Sequence, residues 1–317
     1  MAIDRWFELV LAYRGDRFSG WQVQPALDTV QGMIQRALKK ITKTDIKVVG
    51  ASRTDAGVHA HDQRASFTLQ GSIPLALLHR ALRHHLPPEI EVLQVVEHDF
   101  PYHARYHARG KHYCYLICED RTGNPFLPAY AWYLGKSLDT QVMEEALSCL
   151  LGPGEYPTLQ ASGDCRERPL THLFECRVSR LGPFVALDIV GRSFLYHMVR
   201  IIAGNLVQVG LGHWSVDEWQ HRLHSGNRRA FWLIAPPEGL HLMRVFQEGE
   251  LPQVDARSEA LLWFLHQGSL WWQHSGRVLG RSAEQDLHTN QPGREGNAGN
   301  KRTGHDGEEN QGQSHDA

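Results

Sequence analysis

Phe7, Leu9, Leu11 and Tyr13 recur at every second position, the alternation of a strand with one buried face. Between Thr29 and Ile41 the period lengthens. Val30, Met33, Ile34, Ala37, Leu38 and Ile41 form the apolar stripe of a helix, and Asp28 with Gln31 offers a capping box at its start. The same two periods predict further strands at Ile46–Val49, Ala65–Leu69, Ile90–Val96, His112–Cys118, Phe174–Val178 and Val185–Val190. They predict helices at Pro74–Leu86, Asp139–Leu151, Ser193–Val209 and Val216–Leu223. Strands that return through hairpins and helices in mixed order predict an α+β fold.

Composition narrows the class. At 317 residues, 42% hydrophobic and 21% charged, the chain has the material for two packed layers, as one large domain or two around a cleft. It carries neither an apolar run of bilayer length nor an N-terminal signal, so a cytoplasmic protein with no membrane association is the simplest expectation. Five cysteines without CxxC spacing argue against a disulfide framework and against structural zinc; Cys114, Cys118 and Cys176 are expected to pack in strands. The formal net charge of −2 hides an uneven distribution, because acids outnumber bases after residue 250 and the part before it is about neutral. Within that part Arg80, Arg83, Arg105, Arg109 and Lys111 interleave with His79, His84, His85, His98, His103, His107 and His112. Such a band can track phosphates or can be a solvated polar face. Beyond residue 250, Ala260 to Trp272 is apolar enough to pack on something, whereas 281–317 is predicted to be a disordered tail.

One loop stands out chemically. GASRTDAGVHA, residues 50–60, joins two predicted strands, and its glycines permit backbone angles other residues resist. A sheet can hold such a loop rigid while Arg53 and Asp55 face a cleft. The ordinary role of a lone loop aspartate is to bond its own turn. A metal reading of His59, His61 and Asp62 fails on spacing, because Gln63 stands where an HxHxDH run needs aspartate. The chain has no GxxxxGKS loop and no GxSxG elbow. Its chemistry is therefore expected to rest on a carboxylate, with no metal and no nucleotide cofactor.

These stretches, taken in order, resemble the TruA-type tRNA pseudouridine synthases. YRGDRFSGWQVQP, TVQGMIQRAL and SRTDAGVHA follow one another as that family's Y.G..F.GWQ.Q, TVQ and GRTDAGVHA do. YHARYHARGKHYCYLI, GRSFLYHMVRIIAGNLVQVG and APPEGLHLMRV resemble its later segments. The resemblance covers roughly residues 5–247. It departs at Ser52, where the family usually has glycine, and at GPGEYPTLQASG, residues 152–163, in place of a DFxxF stretch.

What the resemblance implies can be set against the residues. The family's fold is two facing α+β halves whose antiparallel sheets form a central basic cleft, here 1–105 with the catalytic loop and 106–250, followed by an extension at 251–280 and the tail. Asp55 matches the catalytic aspartate, beside the C1′ carbon whose bond to the base is remade. Arg200 matches the arginine that pairs with it and orients it, which suits a cation that needs an anionic partner when partly buried. Tyr113 matches the tyrosine that stacks on uracil, although a tyrosine on an alternating strand is ordinarily core. Arg53 matches a residue that holds RNA while a uridine is turned out, with His103 and Arg105 as supports. No cofactor is implied. The implied partners are the tRNA anticodon stem-loop, at tRNA nucleotide positions 38, 39 and 40, and a second copy of the chain in a homodimer. Two other readings remain: a catalytically inactive RNA-binding protein and a carboxylate-dependent nucleoside hydrolase.

Overall fold

The computed structural model describes residues 4–120, 129–164 and 167–266. Their strands are β1 (Asp4–Tyr13), β2 (Val49–Gly50), β3 (His59–Gln70), β4 (Ile90–His98), β5 (Gly110–Cys118), β6 (Trp132–Tyr133), β7 (Gly152–Glu155), β8 (Leu170–Leu181), β9 (Phe184–Gly191) and β10 (Leu240–Phe246). Their helices are α1 (Val30–Thr42), α2 (Leu75–His85), α3 (Ala104–His107), α4 (Thr140–Ser148), α5 (Met198–Gly210), α6 (Val216–His224) and α7, residues 257–266. The strands form one sheet in the order β4-β1-β3-β10-β5-β9-β8-β7, with β2 on β3 and β6 on β5. Pairing is antiparallel except at β10–β3 and β5–β6. The fold is thus α+β with a mostly antiparallel sheet, as the alternating periods predicted. The last strand, β10, lies between β3 and β5 and joins the strands of the N-terminal part to those of the C-terminal part.

Alternation sends side chains to two faces of this sheet. Phe7, Leu9, Leu11 and Tyr13 of β1, Tyr113, Tyr115 and Ile117 of β5, and Val185, Leu187 and Ile189 of β9 enter one core with the apolar stripes of α1, α2, α4, α5 and α6. The opposite face carries Cys114, Leu116, Cys118, Phe184, Ala186 and Met243, covered by Leu262 and Leu265 of α7. It also buries charge: Arg64 bridges Glu8 at 3.0 Å and Asp62 at 2.7 Å, and Arg257 reaches Asp62 at 3.0 Å.

Several boundaries differ from expectation for local reasons. The cap of α1 is Thr29, whose hydroxyl accepts from Gly32 N. Gln31 does not complete a capping box, because its side chain ties Val23 N to Val48 O instead. Helix α5 begins at Met198 rather than Ser193, since His197 adopts a left-handed backbone, φ +59°, that a helix cannot continue through. Strand β3 starts six residues before the predicted Ala65.

The expected basic band is not one surface. Arg83 pairs with Glu91, Arg109 with Glu248 and His98 with Glu8, while His112 is fully buried against Asp188. A helix, a loop and two strands carry these residues to different faces, which sequence adjacency conceals. Cys114 and Cys118 on β5 and Cys176 on β8 are free thiols in strands. No helix among the described residues is long and apolar enough to cross a membrane. The predicted tail at 281–317 lies outside the described residues, as does the second half of the 251–280 extension.

Candidate active site

The loop between β2 and β3 is clamped from every side. Below it, Gln63 of β3 accepts from Ser52 N at 3.1 Å and donates to Ser52 O at 2.9 Å. The Tyr13 hydroxyl meets Thr54 Oγ1 at 2.8 Å, and the Tyr113 hydroxyl meets Ser52 Oγ at 2.7 Å. Beside it, Trp21 N donates to Thr54 O at 3.0 Å, and the Trp21 ring lies so close over Gly50 that any side chain there would strike it. Gly20 and Gly57 both have positive φ, and a side chain at either would be crowded, at Gly20 by the Thr54 carbonyl and at Gly57 by the Pro237 ring. The motifs around Gly15, Gly20 and Trp21 are therefore the walls of this loop. With its backbone fixed, the place of the Asp55 carboxylate is decided by what its side chain meets.

That place is the N-terminal turn of α5. Arg200 Nη1 donates to Asp55 Oδ2 at 3.1 Å, and His197 Nε2 lies 3.3 Å from the same oxygen. Among the described residues no donor reaches Oδ1. Arg200 is itself held by Nε, which donates to Ala235 O at 2.8 Å. The segment that supplies this carbonyl continues along the site: Pro236 O accepts from the Tyr115 hydroxyl at 2.8 Å before Pro237 reaches Gly57. The carboxylate remains about one-fifth exposed, with Arg200 and His197 similarly recessed. It is an open anion held by one donor, Arg200, with the His197 ring against it, suited to attack on, or charge stabilisation beside, a substrate carbon.

The other predicted residues take distinct positions. Tyr113 is buried on β5, its ring edge-on to Phe194 at 5.0 Å between centroids. Burial pushes its phenol pKa up, against the pull of Ser52, so it is a neutral hydroxyl. Arg53 projects from the same loop as Asp55, exposed and with no ion pair or side-chain hydrogen bond among the described residues. His103 stands at the N-cap position of α3 without a side-chain capping bond and stacks on the exposed Tyr106 at 4.2 Å, and Arg105 is exposed on that short helix. Neither makes a hydrogen bond or ion pair with Asp55. The structure thus brings Asp55 and Arg200 together and sets Tyr113 beneath their loop through Ser52, but it leaves His103 and Arg105 apart from the carboxylate.

His197 is the residue that sequence reasoning passed over. It precedes Arg200 by three positions, which in the helix predicted from Ser193 would put it on the Arg200 face, although the structure brings it there from the left-handed turn before α5. Its pKa is pushed down by burial, against the pull of Asp55 and with the help of Arg200.

The protein resembles known proteins over most of this architecture. A family model described as tRNA pseudouridine synthase matches residues 9–107 and 146–246. The tRNA pseudouridine synthase A of Thermoanaerobacter sp. strain X514 is 36% identical over 237 residues, 75% of this chain and 97% of that protein. That of Moorella thermoacetica is 38% identical over 240 residues, 75% of this chain and 98% of that protein. That of Acetivibrio thermocellus is 36% identical over 239 residues, 75% and 98% of the two chains.

Proposed function

The chain belongs to the tRNA pseudouridine synthase family, and from that premise we propose that it isomerises uridines at tRNA nucleotide positions 38, 39 and 40 of the anticodon stem-loop, with Asp55 as the catalytic carboxylate. The reaction breaks the bond between N1 and C1′, turns the freed base and forms the bond between C5 and C1′, while the proton lost from C5 is balanced by one gained at N1. Nothing is oxidised and no group leaves, so the step needs no cofactor. The observation that carries this reading is the Arg200–Asp55 pair at 3.1 Å, made between a loop and a helix 145 residues apart in sequence. A carboxylate that merely stabilised its own turn would not need that partner.

The uridine must leave the stem to reach Asp55. Arg53, free on the same loop, is the cation we assign to holding the flanking backbone or the vacated stack. Tyr113 takes the face of the uracil, and its neutral hydroxyl is available for proton transfer once released from Ser52. His103 and Arg105 are assigned to more distant RNA contacts. The same reading includes a cytoplasmic homodimer, which sedimentation of the purified chain tests.

The deciding experiment maps pseudouridine in an unmodified tRNA transcript incubated with wild-type or Asp55→Ala protein, without added metal or nucleotide. Pseudouridine at the three positions with wild type alone is the expected result. None from either protein would favour the inactive RNA-binding reading, and release of free uracil would favour the hydrolase.

A further inference from the structure

His197 occupies a backbone conformation that costs a residue with a side chain on the order of 1 kcal/mol, yet its side chain makes no capping bond to α5. The strain instead delivers the ring to Asp55. Tyr196 stacks on it at 3.8 Å, and that neighbour is fixed in turn, its N–H donating to Asp164 Oδ2 at 3.0 Å and its carbonyl accepting from Ala161 N at 3.3 Å. The ring is thus backed by Tyr196, and its Nε2 lies 3.3 Å from the same carboxylate oxygen that Arg200 holds, without a hydrogen bond to it.

We propose that His197 is a positioning residue: its Nε2, 3.3 Å from Oδ2 of Asp55 but not hydrogen-bonded to it here, turns its N–H onto that oxygen when RNA is bound and with Arg200 pins it, leaving Oδ1 as the oxygen presented to the substrate. The inference rests on the assignment of Asp55 in the preceding section. The charged and titratable groups against the imidazole are the Asp55 carboxylate from the loop, the Arg200 guanidinium from α5 and the stacked Tyr196 phenol. Arg200 already compensates the carboxylate, so a second full cation is not required, and burial keeps the imidazole neutral. A neutral donor orients the carboxylate without further weakening its attack or its basicity. Two donors on one oxygen also stop the carboxylate from rotating, so that the two oxygens hold different roles throughout turnover.

Three substitutions separate this role from a structural one. His197→Gly removes the donor and the left-handed strain together. His197→Asn tolerates the same backbone but places its amide too short to reach Asp55. His197→Gln keeps an N–H near the position of Nε2. Each variant is assayed with an unmodified tRNA transcript for single-turnover rate at saturating RNA, for RNA affinity and for melting temperature.

The expected result is a single-turnover rate lowered roughly ten- to a hundredfold in the Gly and Asn variants, the range for losing a hydrogen bond to a charged group. RNA affinity should stay within about twofold, melting temperature should be unchanged or higher in the Gly variant, and His197→Gln should recover most of the rate. A Gly or Asn variant turning over at the wild-type rate would overturn the proposal. So would a Gln variant as slow as the other two, or a loss that appears only as weaker RNA binding. Asp55→Ala run alongside separates the two readings: activity in that variant would remove the assignment of Asp55, whereas its inactivity beside a fully active His197→Gly would remove this proposal alone.

Discussion

Arg200 uses separate edges of one guanidinium, Nη1 for Asp55 and Nε for the carbonyl of Ala235. A lysine has one ammonium on a flexible stem and cannot hold both in a fixed fork. Arg200→Lys is therefore expected to fold but to lose at least about tenfold in single-turnover rate. Arg200→Ala should lose more, and also about 1–3 kcal/mol of stability, because a buried carbonyl and a carboxylate both lose a charged donor. Transcript assays beside denaturant titration check this, and an Arg200→Lys variant with wild-type kinetics would remove the arginine from the mechanism. At this scale the sequence was informative where a residue type was unusual for its place. Asp55 in a small-residue loop and Arg200 on an apolar helix are such cases. The bond between Ser52 and Tyr113 was not legible, because it joins side chains 61 residues apart across two elements.

Elements were legible where one face is apolar and the other is not. Periodicity found β1, α1, α2, β4, β5, β9 and α6 to within a few residues. It found only the later part of β3, because the strand's first residues His59, His61 and Asp62 are polar yet in the sheet, His59 and Asp62 fully buried. The pairing of β1 with β3 shifts register between Leu11 and Tyr13, so that His61 and Asp62 both serve the second face while Gln63 serves the loop.

The histidines there form a directional chain. His241 Nε2 can only donate to the Tyr130 carbonyl, which leaves Nδ1 to accept from His61 Nε2. His59 donates to the Ala129 carbonyl and accepts from Gly15 N. All three rings are neutral in this arrangement. Burial pushes their pKa values down, that of His61 to about 4 and that of His241 further below the ordinary value. The unfolded chain binds protons at these sites near pH 6.5 and the folded chain does not, so stability is fully present above that pH and is lost as pH falls toward 4. Melting temperature should accordingly drop between pH 7 and pH 5. His61→Gln, which keeps a donor for His241 but does not titrate, should flatten that slope, and an unchanged slope would mean other groups set the acid limit.

At the scale of the whole molecule, the family match stops at residue 246 while the described residues continue to 266. This continuation is a strap over the face of the sheet opposite the site. Pro252 packs on Gly110, Asp255 N donates to His112 Nδ1 at 3.1 Å, and Val254 N donates to Glu175 at 2.7 Å. Arg257 neutralises Asp62, and Leu262 and Leu265 close the apolar patch over β5 and β9. Only the apolar run from Ala260 hinted at it in the sequence, because its other contacts depend on which polar side chains the sheet turns to that face. Leu265 is fully buried, and its replacement by Ala should cost about 2–4 kcal/mol, a fall of roughly 5–10 °C in melting temperature. Truncation after Glu250 should cost more, since it uncovers the patch, takes Arg257 from Asp62 and takes the Asp255 N–H from His112. The strap and Asp55 lie on opposite faces, so Leu265→Ala should keep its single-turnover rate at 25 °C. A truncated chain that melts within a degree or two of the intact one would show that the sheet does not depend on this cover, and a slowed Leu265→Ala would show that the two faces are coupled.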